Sequence, residues 1–166
     1  MTTVYVNKRL GVVLTDMRTT TSTYREFCGL AFGVVNTFTE NSNKAMYIHD
    51  RVLAISGCTT ETEKVAQYLA YGIPLVPAPK SEKVCANCLY VDKNWILQII
   101  LEKGKVQKYF LPIKSGFHCG TGSGWAALEK ELKKYSEPTL DEVIVAFKTV
   151  HKSDKYTNDQ IQIHKI

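Results

Sequence analysis

The residue types that most readily do chemistry are thinly spread in this 166-residue chain. Cys85 and Cys88, in Cys85-Ala-Asn-Cys88, have the spacing of a metal-binding pair, but no second cysteine pair or nearby His-x-His follows, so buried or tolerated thiols account for them as well. His49, His118, His151 and His164 are dispersed without ligand spacing and read as surface or core residues. Nothing points to a Ser-His-Asp or Cys-His site. What remains is hydroxyl and glycine chemistry: Thr2-Thr3 at the start, Gly57 after an apolar run, and Gly120-Thr-Gly-Ser-Gly124 ahead of a helix. Taken singly, these read as β-formers, turn glycines and a Ser123 N-cap. Asp16 reads as a turn residue, Lys44 as a solvated strand end, Asp154 as the start of a turn and Thr157 as a β-former beside it.

Composition narrows the classes further. A chain of this length buries roughly two-thirds of its unfolded surface in one core, and no linker, repeat or second domain interrupts residues 1–166. Hydrophobic residues make up 45% and charged residues 22%, the balance of an ordinary globular protein. No stretch approaches the roughly 20 apolar residues of a bilayer span, and no basic segment followed by an apolar run opens the chain. The expected location is therefore the cytoplasm, with no membrane partner. Five cysteines, an odd number, fit reduced thiols better than a disulfide framework. The net charge of +5 is modest, and no basic run interleaved with aromatics marks a nucleic-acid groove. No cofactor or metal is expected.

The elements that must position the hydroxyls and glycines follow from pattern. Residues 3–6 and 11–15 read as short strands joined by Asn7-Lys8-Arg9. Thr19 to Asn43 has no clean periodicity and reads as irregular, with Phe27 to Val35 open to a strand or a buried helical turn. Residues 45–49 and 51–55 form a second strand pair, ending at Ser56-Gly57. A helix follows: Thr60-Glu-Thr-Glu63 has the capping-box pattern, Val65, Tyr68 and Leu69 share a face, and Gly72 with Pro74 supplies the stop. Three prolines make Pro74 to Lys83 a loop, before a short helix near Val84 to Leu89. Trp95 to Leu101 and Val106 to Leu111 read as a hairpin across Glu102-Lys-Gly104-Lys. Gly120 to Gly124 opens a helix with Trp125, Leu128 and Leu132 at core spacing, and Thr139-Leu-Asp-Glu142 caps another with Val143, Phe147 and Val150 inward. Gln160 to Ile166 alternates as a half-buried strand. Two helices from the middle and two from the end would cover opposite faces of two packed antiparallel sheets.

The junctions of this pattern resemble those of β-type proteasome subunits and of the related bacterial peptidase that works with a ring ATPase, over nearly the whole chain. Thr2-Thr3-Val4 followed by Gly11-Val-Val-Leu is similar to the family's mature N-terminus and first hairpin, and Asp16-Met-Arg18 to its Asp-x-Arg turn. Lys44, leading to Ile55-Ser-Gly57, resembles the family's lysine strand and Ser/Ala-Gly turn. Gly122-Ser-Gly124 is similar to its Gly-Ser-Gly element. His151 to Asn158, with Asp154 and Thr157, resembles its Arg-Asp-x-x-Ser-Gly turn into the last strand. Each fragment alone occurs by chance in many proteins; their joint order carries the likeness. The resemblance implies an α+β fold, a four-layer αββα sandwich of the N-terminal nucleophile hydrolase type, and a threonine-type endopeptidase.

By that resemblance Thr2 is the nucleophile. A threonine hydroxyl attacks poorly unless a base takes its proton, and a residue at the chain terminus brings its own base, the α-amine. Removal of Met1 would expose that amine, whose ordinary pKa of about 7.7–8.0 suits a general base. Lys44 would lower it by like-charge repulsion, Asp16 would hold Lys44 charged and oriented, and the Gly57 N–H would face the oxyanion. Ser123, Asp154 and Thr157 would form the polar network that positions the amine. The implied partners are unfolded polypeptide or peptide substrates, further copies of the chain in a ring or smaller homo-oligomer, and an ATP-dependent unfoldase as a candidate feeder. Two alternatives stay open: a non-catalytic scaffold or assembly subunit that kept the fold, and a small-molecule amidohydrolase. The chain departs from the family pattern in the Thr19 to Asn43 insertion, in the compressed Pro74 to Asn94 region, and in Asn158-Asp159 where the second glycine of the last turn would stand.

Overall fold

The computed structural model describes residues 2–27, 30–82, 84–112 and 118–166. Met1 and Cys28, and what was expected of them, lie outside the described residues.

Strands β1 (Val4–Asn7) and β2 (Val12–Asp16) make the first hairpin, and every residue in both is buried. Successive side chains of a strand point to opposite faces, so unbroken burial means that both faces are covered. Val4, Val6 and Val13 face one side; Tyr5, Val12 and Leu14 face the other. Asn7 Oδ1 accepts the Leu10 N–H at 2.9 Å, and Gly11 turns the chain at φ 63°.

Strands β3 (Thr19–Phe27) and β4 (Leu30–Thr39) pair antiparallel in a two-stranded sheet of their own. This overturns the irregular reading of Thr19 to Asn43. Threonine, valine and aromatic residues favour extended backbone without any apolar alternation to announce it. Strands β5 (Ala45–Ile48) and β6 (Arg51–Gly57) turn through His49 and Asp50, both at positive φ.

Helix α1 (Thr59–Tyr71) starts behind Cys58 with no side-chain cap, so the capping box expected at Thr60 to Glu63 does not form. Its Glu61 is buried instead beneath the proline loop, where Oε2 accepts the Ala78 N–H at 3.0 Å and Oε1 pairs with Lys64 Nζ at 2.5 Å. Gly72, left-handed at φ 70°, ends the helix.

The segment expected to hold a short helix is strand β7 (Cys85–Val91), preceded only by a 3-10 turn at Lys80–Glu82. One α-helix, not two, therefore comes from the middle of the described chain. β7 hid its period because it is covered on both faces: Leu89 and Val91 face the sheet interface, Ala86, Cys88 and Tyr90 the helix side. β8 (Trp95–Glu102) and β9 (Lys105–Pro112) form the expected hairpin, with Lys103 and Gly104 at positive φ in its turn. β10 (His118–Thr121), α2 (Trp125–Leu132), α3 (Leu140–His151) and β11 (Ile161–Lys165) complete the chain. Thr139 and Glu142 close a reciprocal capping box at α3.

The strands fall in a four-stranded sheet, ordered β10-β1-β2-β11, and a five-stranded sheet, ordered β5-β6-β7-β8-β9, besides the β3–β4 pair. Three apolar clusters join them. Val4, Val6 and Val13 meet Val52, Leu89 and Ile96 between the two larger sheets. Tyr5 and Leu14 meet Leu128, Val143 and Phe147 of α2 and α3. Leu53, Tyr90 and Ile99 meet Val65 of α1. No described helix is long and apolar enough to cross a membrane.

Candidate active site

Thr2 is only 3% exposed, yet it lines two adjoining clefts of about 250 and 300 Å³. Both clefts also include Thr19, Lys44, Gly57 and Thr59. Among the described residues no hydrogen bond engages the Thr2 hydroxyl. The backbone around it is held from three sides. The Thr3 N–H donates to Asp16 Oδ1 at 2.5 Å, the Asp16 N–H donates to the Thr3 carbonyl at 3.2 Å, and Gly122 lies against the Thr2 carbonyl.

Asp16 is fully buried at the end of β2. Loss of hydration pushes its carboxyl up to about 6, against the pull of the Thr3 and Arg18 N–H groups and the charge of Lys44. Lys44 precedes β5; burial lowers the pKa of its amine, and the charge of Asp16 opposes that shift. The two side chains do not form an ion pair within 4.0 Å. Asp16 thus acts on Lys44 through space rather than by holding it, and the contact to Nζ is Thr19 Oγ1 at 2.5 Å.

Gly57 ends β6 at φ 112°. A Cβ there would lie 2.3 Å from the Cys85 carbonyl oxygen and 2.8 Å from Ala86 Cα, so the glycine is required by the approach of β7 and not only by an approaching substrate. The N–H groups of a strand point alternately to its two edges. Ile55 donates to the Lys44 carbonyl and Cys58 to the Cys85 carbonyl, which turns the Gly57 N–H toward the β5 side, beyond the end of that strand and beside the clefts.

Ser123, Asp154 and Thr157 come together, though they are reached from different elements. Ser123 donates to Asp154 Oδ2 at 2.7 Å, and Thr157 Oγ1 donates to the same oxygen at 2.8 Å. Asp154 Oδ1 accepts the Tyr156 N–H, so one carboxylate both shapes its turn and anchors the network. Burial would raise its pKa, but these three donors outweigh that and hold it below the usual carboxylate range. Ser123 does not cap α2; the N-cap is Gly124. The network extends to Thr3 rather than to Thr2: Thr3 Oγ1 lies 2.7 Å from Thr157 Oγ1 and accepts the Gly124 N–H at 3.1 Å. With Thr157 donating to Asp154, the Thr3 hydroxyl is left to donate to Thr157, which fixes the direction of the whole chain of bonds.

Several residues that build the site have roles that were not assigned from the sequence. Thr3 joins Asp16 to the Asp154 network, and Thr19 carries the Lys44 contact. Gln162 of β11 accepts the Lys44 and Ala45 N–H groups at 3.0 and 3.1 Å, setting the start of β5 from the other sheet. Asn158 accepts the Met17 N–H at 2.9 Å and donates to Glu40, which pairs with Arg18, so the last turn, the Asp16 turn and the base of β4 are tied together. The alternation of Gln160 to Ile166 was a signal for the strand but not for the contacts of its glutamine. Cys85 is exposed and Cys88 is buried, on opposite faces of β7.

The arrangement can deliver a hydroxyl, a cation and a backbone donor to one cleft. No family model and no curated protein matches the sequence. Solved structures do match. Eukaryotic HslV from Trypanosoma brucei aligns with a TM-score of 0.59 at 11% identity, over 98% of this chain and 97% of that one. Thiobacillus denitrificans BPH in complex with epoxomicin aligns with a TM-score of 0.61 at 14% identity, over 99% of this chain and 97% of that one. The likeness is one of fold: the chain shares the mixed α/β architecture of these solved structures over nearly its whole length.

Proposed function

We propose that the chain is a threonine-type endopeptidase, a four-layer αββα N-terminal nucleophile hydrolase that cleaves unfolded polypeptides or peptides from within a proteasome-like homo-oligomer. The observation that carries the reading is Thr2 in a cleft shared with Lys44 and Gly57, its hydroxyl without a hydrogen bond among the described residues. While Met1 is attached, the Thr2 nitrogen is an amide and cannot act as a base; its removal supplies the amine. That amine takes the hydroxyl proton as Oγ attacks the scissile carbonyl carbon, and the Gly57 N–H donates to the developing oxyanion. The C–N bond then breaks, the leaving amine takes the proton from the Thr2 α-amine, and water, deprotonated by that α-amine, hydrolyses the Thr2 ester. Lys44 keeps the amine unprotonated near neutrality, with Asp16 balancing its charge from behind. Ser123, Asp154 and Thr157 fix the N-terminal backbone through Thr3. Enclosure in an oligomer would confine access to unfolded chains, with an ATP-driven unfoldase as the partner that feeds it.

One observation favours the rival reading of a non-catalytic scaffold subunit, namely that Thr2 is almost wholly buried in the full chain. Turnover of a fluorogenic peptide by the wild type and by Thr2→Ala separates the two. The enzyme reading expects activity in the wild type and a drop of about 10³-fold or more in the variant, with unchanged circular dichroism and assembly size. Equal turnover by both removes Thr2 from the mechanism.

A further inference from the structure

We propose that Cys58 and Cys85 form a reversible dithiol–disulfide pair at the mouth of the cleft, oxidised by exchange with a small disulfide of the glutathione type. The two residues are 27 positions apart by number, and the β6–β7 ladder sets them side by side. Its register runs through Ser56 opposite Asn87 and Gly57 opposite Ala86, which places Cys58 opposite Cys85 as the next pair. The Cys58 N–H donates to the Cys85 carbonyl at 2.7 Å, continuing the ladder by one more bond. Opposed residues in a hydrogen-bonded antiparallel pair have Cα atoms about 5.5 Å apart and side chains on the same face. A disulfide needs about 4.4–6.8 Å.

Access favours the same pair. Cys85 is exposed, and Cys58 is half-buried and lines the larger cleft together with Thr2 and Gly57. Cys88 and Cys119 are different: burial pushes both thiols up to about 12, which keeps them protonated and slow to exchange. The spacing of Cys85 and Cys88, which suggests a metal pair in the sequence, puts their side chains on opposite faces, so the pairing that matters runs across the ladder. Cys58 Sγ now lies 3.1 Å from Thr60 Oγ1, so forming the bond requires the sulfur to leave that hydroxyl.

The exchange balances without any other reagent. One cysteine thiolate attacks the reagent disulfide and expels the first small thiolate; the second attacks the resulting mixed disulfide and expels the other. The protein loses two electrons and two protons, and the reagent leaves as two thiols. The bond would clamp the residue after Gly57 to β7 and fix the wall that Cys58 contributes to the cleft. The effect on catalysis rests on the proposed function; the cross-link does not.

The test equilibrates the full chain in buffers of reduced and oxidised glutathione, alkylates free thiols, maps disulfides by peptide mass, and assays peptide cleavage in parallel. The wild type should yield a Cys58–Cys85 cross-link, with cleavage falling several-fold on oxidation and returning on reduction. Neither Cys58→Ser nor Cys85→Ser should cross-link, and both should be insensitive to oxidation. An oxidised wild type carrying only mixed disulfides, or inhibition that persists in both variants, overturns the proposal. If the reduced protein cleaves no peptide while the cross-link forms, the peptidase reading fails and the dithiol site stands; normal cleavage with no cross-link has the opposite meaning.

Discussion

Asp16 is the residue on which opposing forces meet most directly, being a carboxyl with no exposed surface held by two backbone donors near a half-buried lysine. Burial wins, and its carboxyl titrates at about 6 instead of 3.8. The folded protein therefore binds this proton more tightly than the unfolded chain does. The stabilisation is complete below about pH 4, is lost as the pH rises through about 6, and stays constant above. Asp16→Asn removes the titration. The stability of wild type minus variant should fall by about 2 kcal/mol between pH 4 and 7, measured by urea unfolding at each pH. A difference that stays flat over that range would mean that Asp16 is not desolvated as described. Asp154 has the opposite sign, since its lowered pKa gives stability that is present above its ordinary value and lost on acidification. Thr2, Asp16, Lys44 and Gly57 were legible because they fall at junctions of a recognisable order. Thr3, Thr19 and Gln162 were not, because their roles are hydrogen bonds across the fold: Gln162 reaches Lys44 over 118 residues of sequence.

The glycines before α2 show how elements fix the site. Gly122 sits at φ 102°, and a Cβ would fall 1.5 Å from the Thr2 carbonyl oxygen; at Gly124 it would fall 2.4 Å from Thr3 Oγ1. The β10–α2 turn is thus moulded onto the N-terminal residues. Gly122→Ala should cost about 3 kcal/mol from positive φ and backbone collision together, and should displace Thr2 enough to depress peptide cleavage in the molecules that remain folded. Gly11, also at positive φ but with nothing within 4 Å of a Cβ, should cost only about 1 kcal/mol on the same change and leave cleavage intact. Equal losses at both positions, by thermal unfolding and by assay, would contradict the moulding. Strand β7 and the β3–β4 hairpin escaped sequence reading for related reasons. Periodicity registers one buried face; β7 buries two, and the threonine-rich β3 has no apolar face to alternate.

At the scale of the whole molecule, three apolar clusters hold two sheets and their helices together, and the clefts open where the residue before β1, the start of β3, the segment before β5, the end of β6 and the start of α1 meet. Core and site are therefore separable. Phe147→Ala, in the cluster between α3 and the four-stranded sheet, should lower stability by about 3–5 kcal/mol while leaving the KM of the folded fraction unchanged. A raised KM at full folding would show that the helix layer reaches the cleft. The arrangement of terminal helices and outer strands was readable because α2 and α3 keep their apolar spacing and α3 keeps its capping box. α1 was readable too, but the absence of a second middle helix among the described residues was not, since the segment after the proline loop has a composition that serves strand and helix alike.

The chemistry of the second residue is open to one direct experiment. Intact mass and peptide mapping of the purified chain, before and after treatment with a mechanism-based threonine-protease inhibitor, report the N-terminal residue and any covalent adduct together. A chain that begins at Thr2 and gains a single adduct on that residue, absent from Thr2→Ala, is the result expected here. A chain that begins at Thr2, cleaves peptides and takes no adduct at that residue, or one that cleaves them with Met1 still attached, would contradict it.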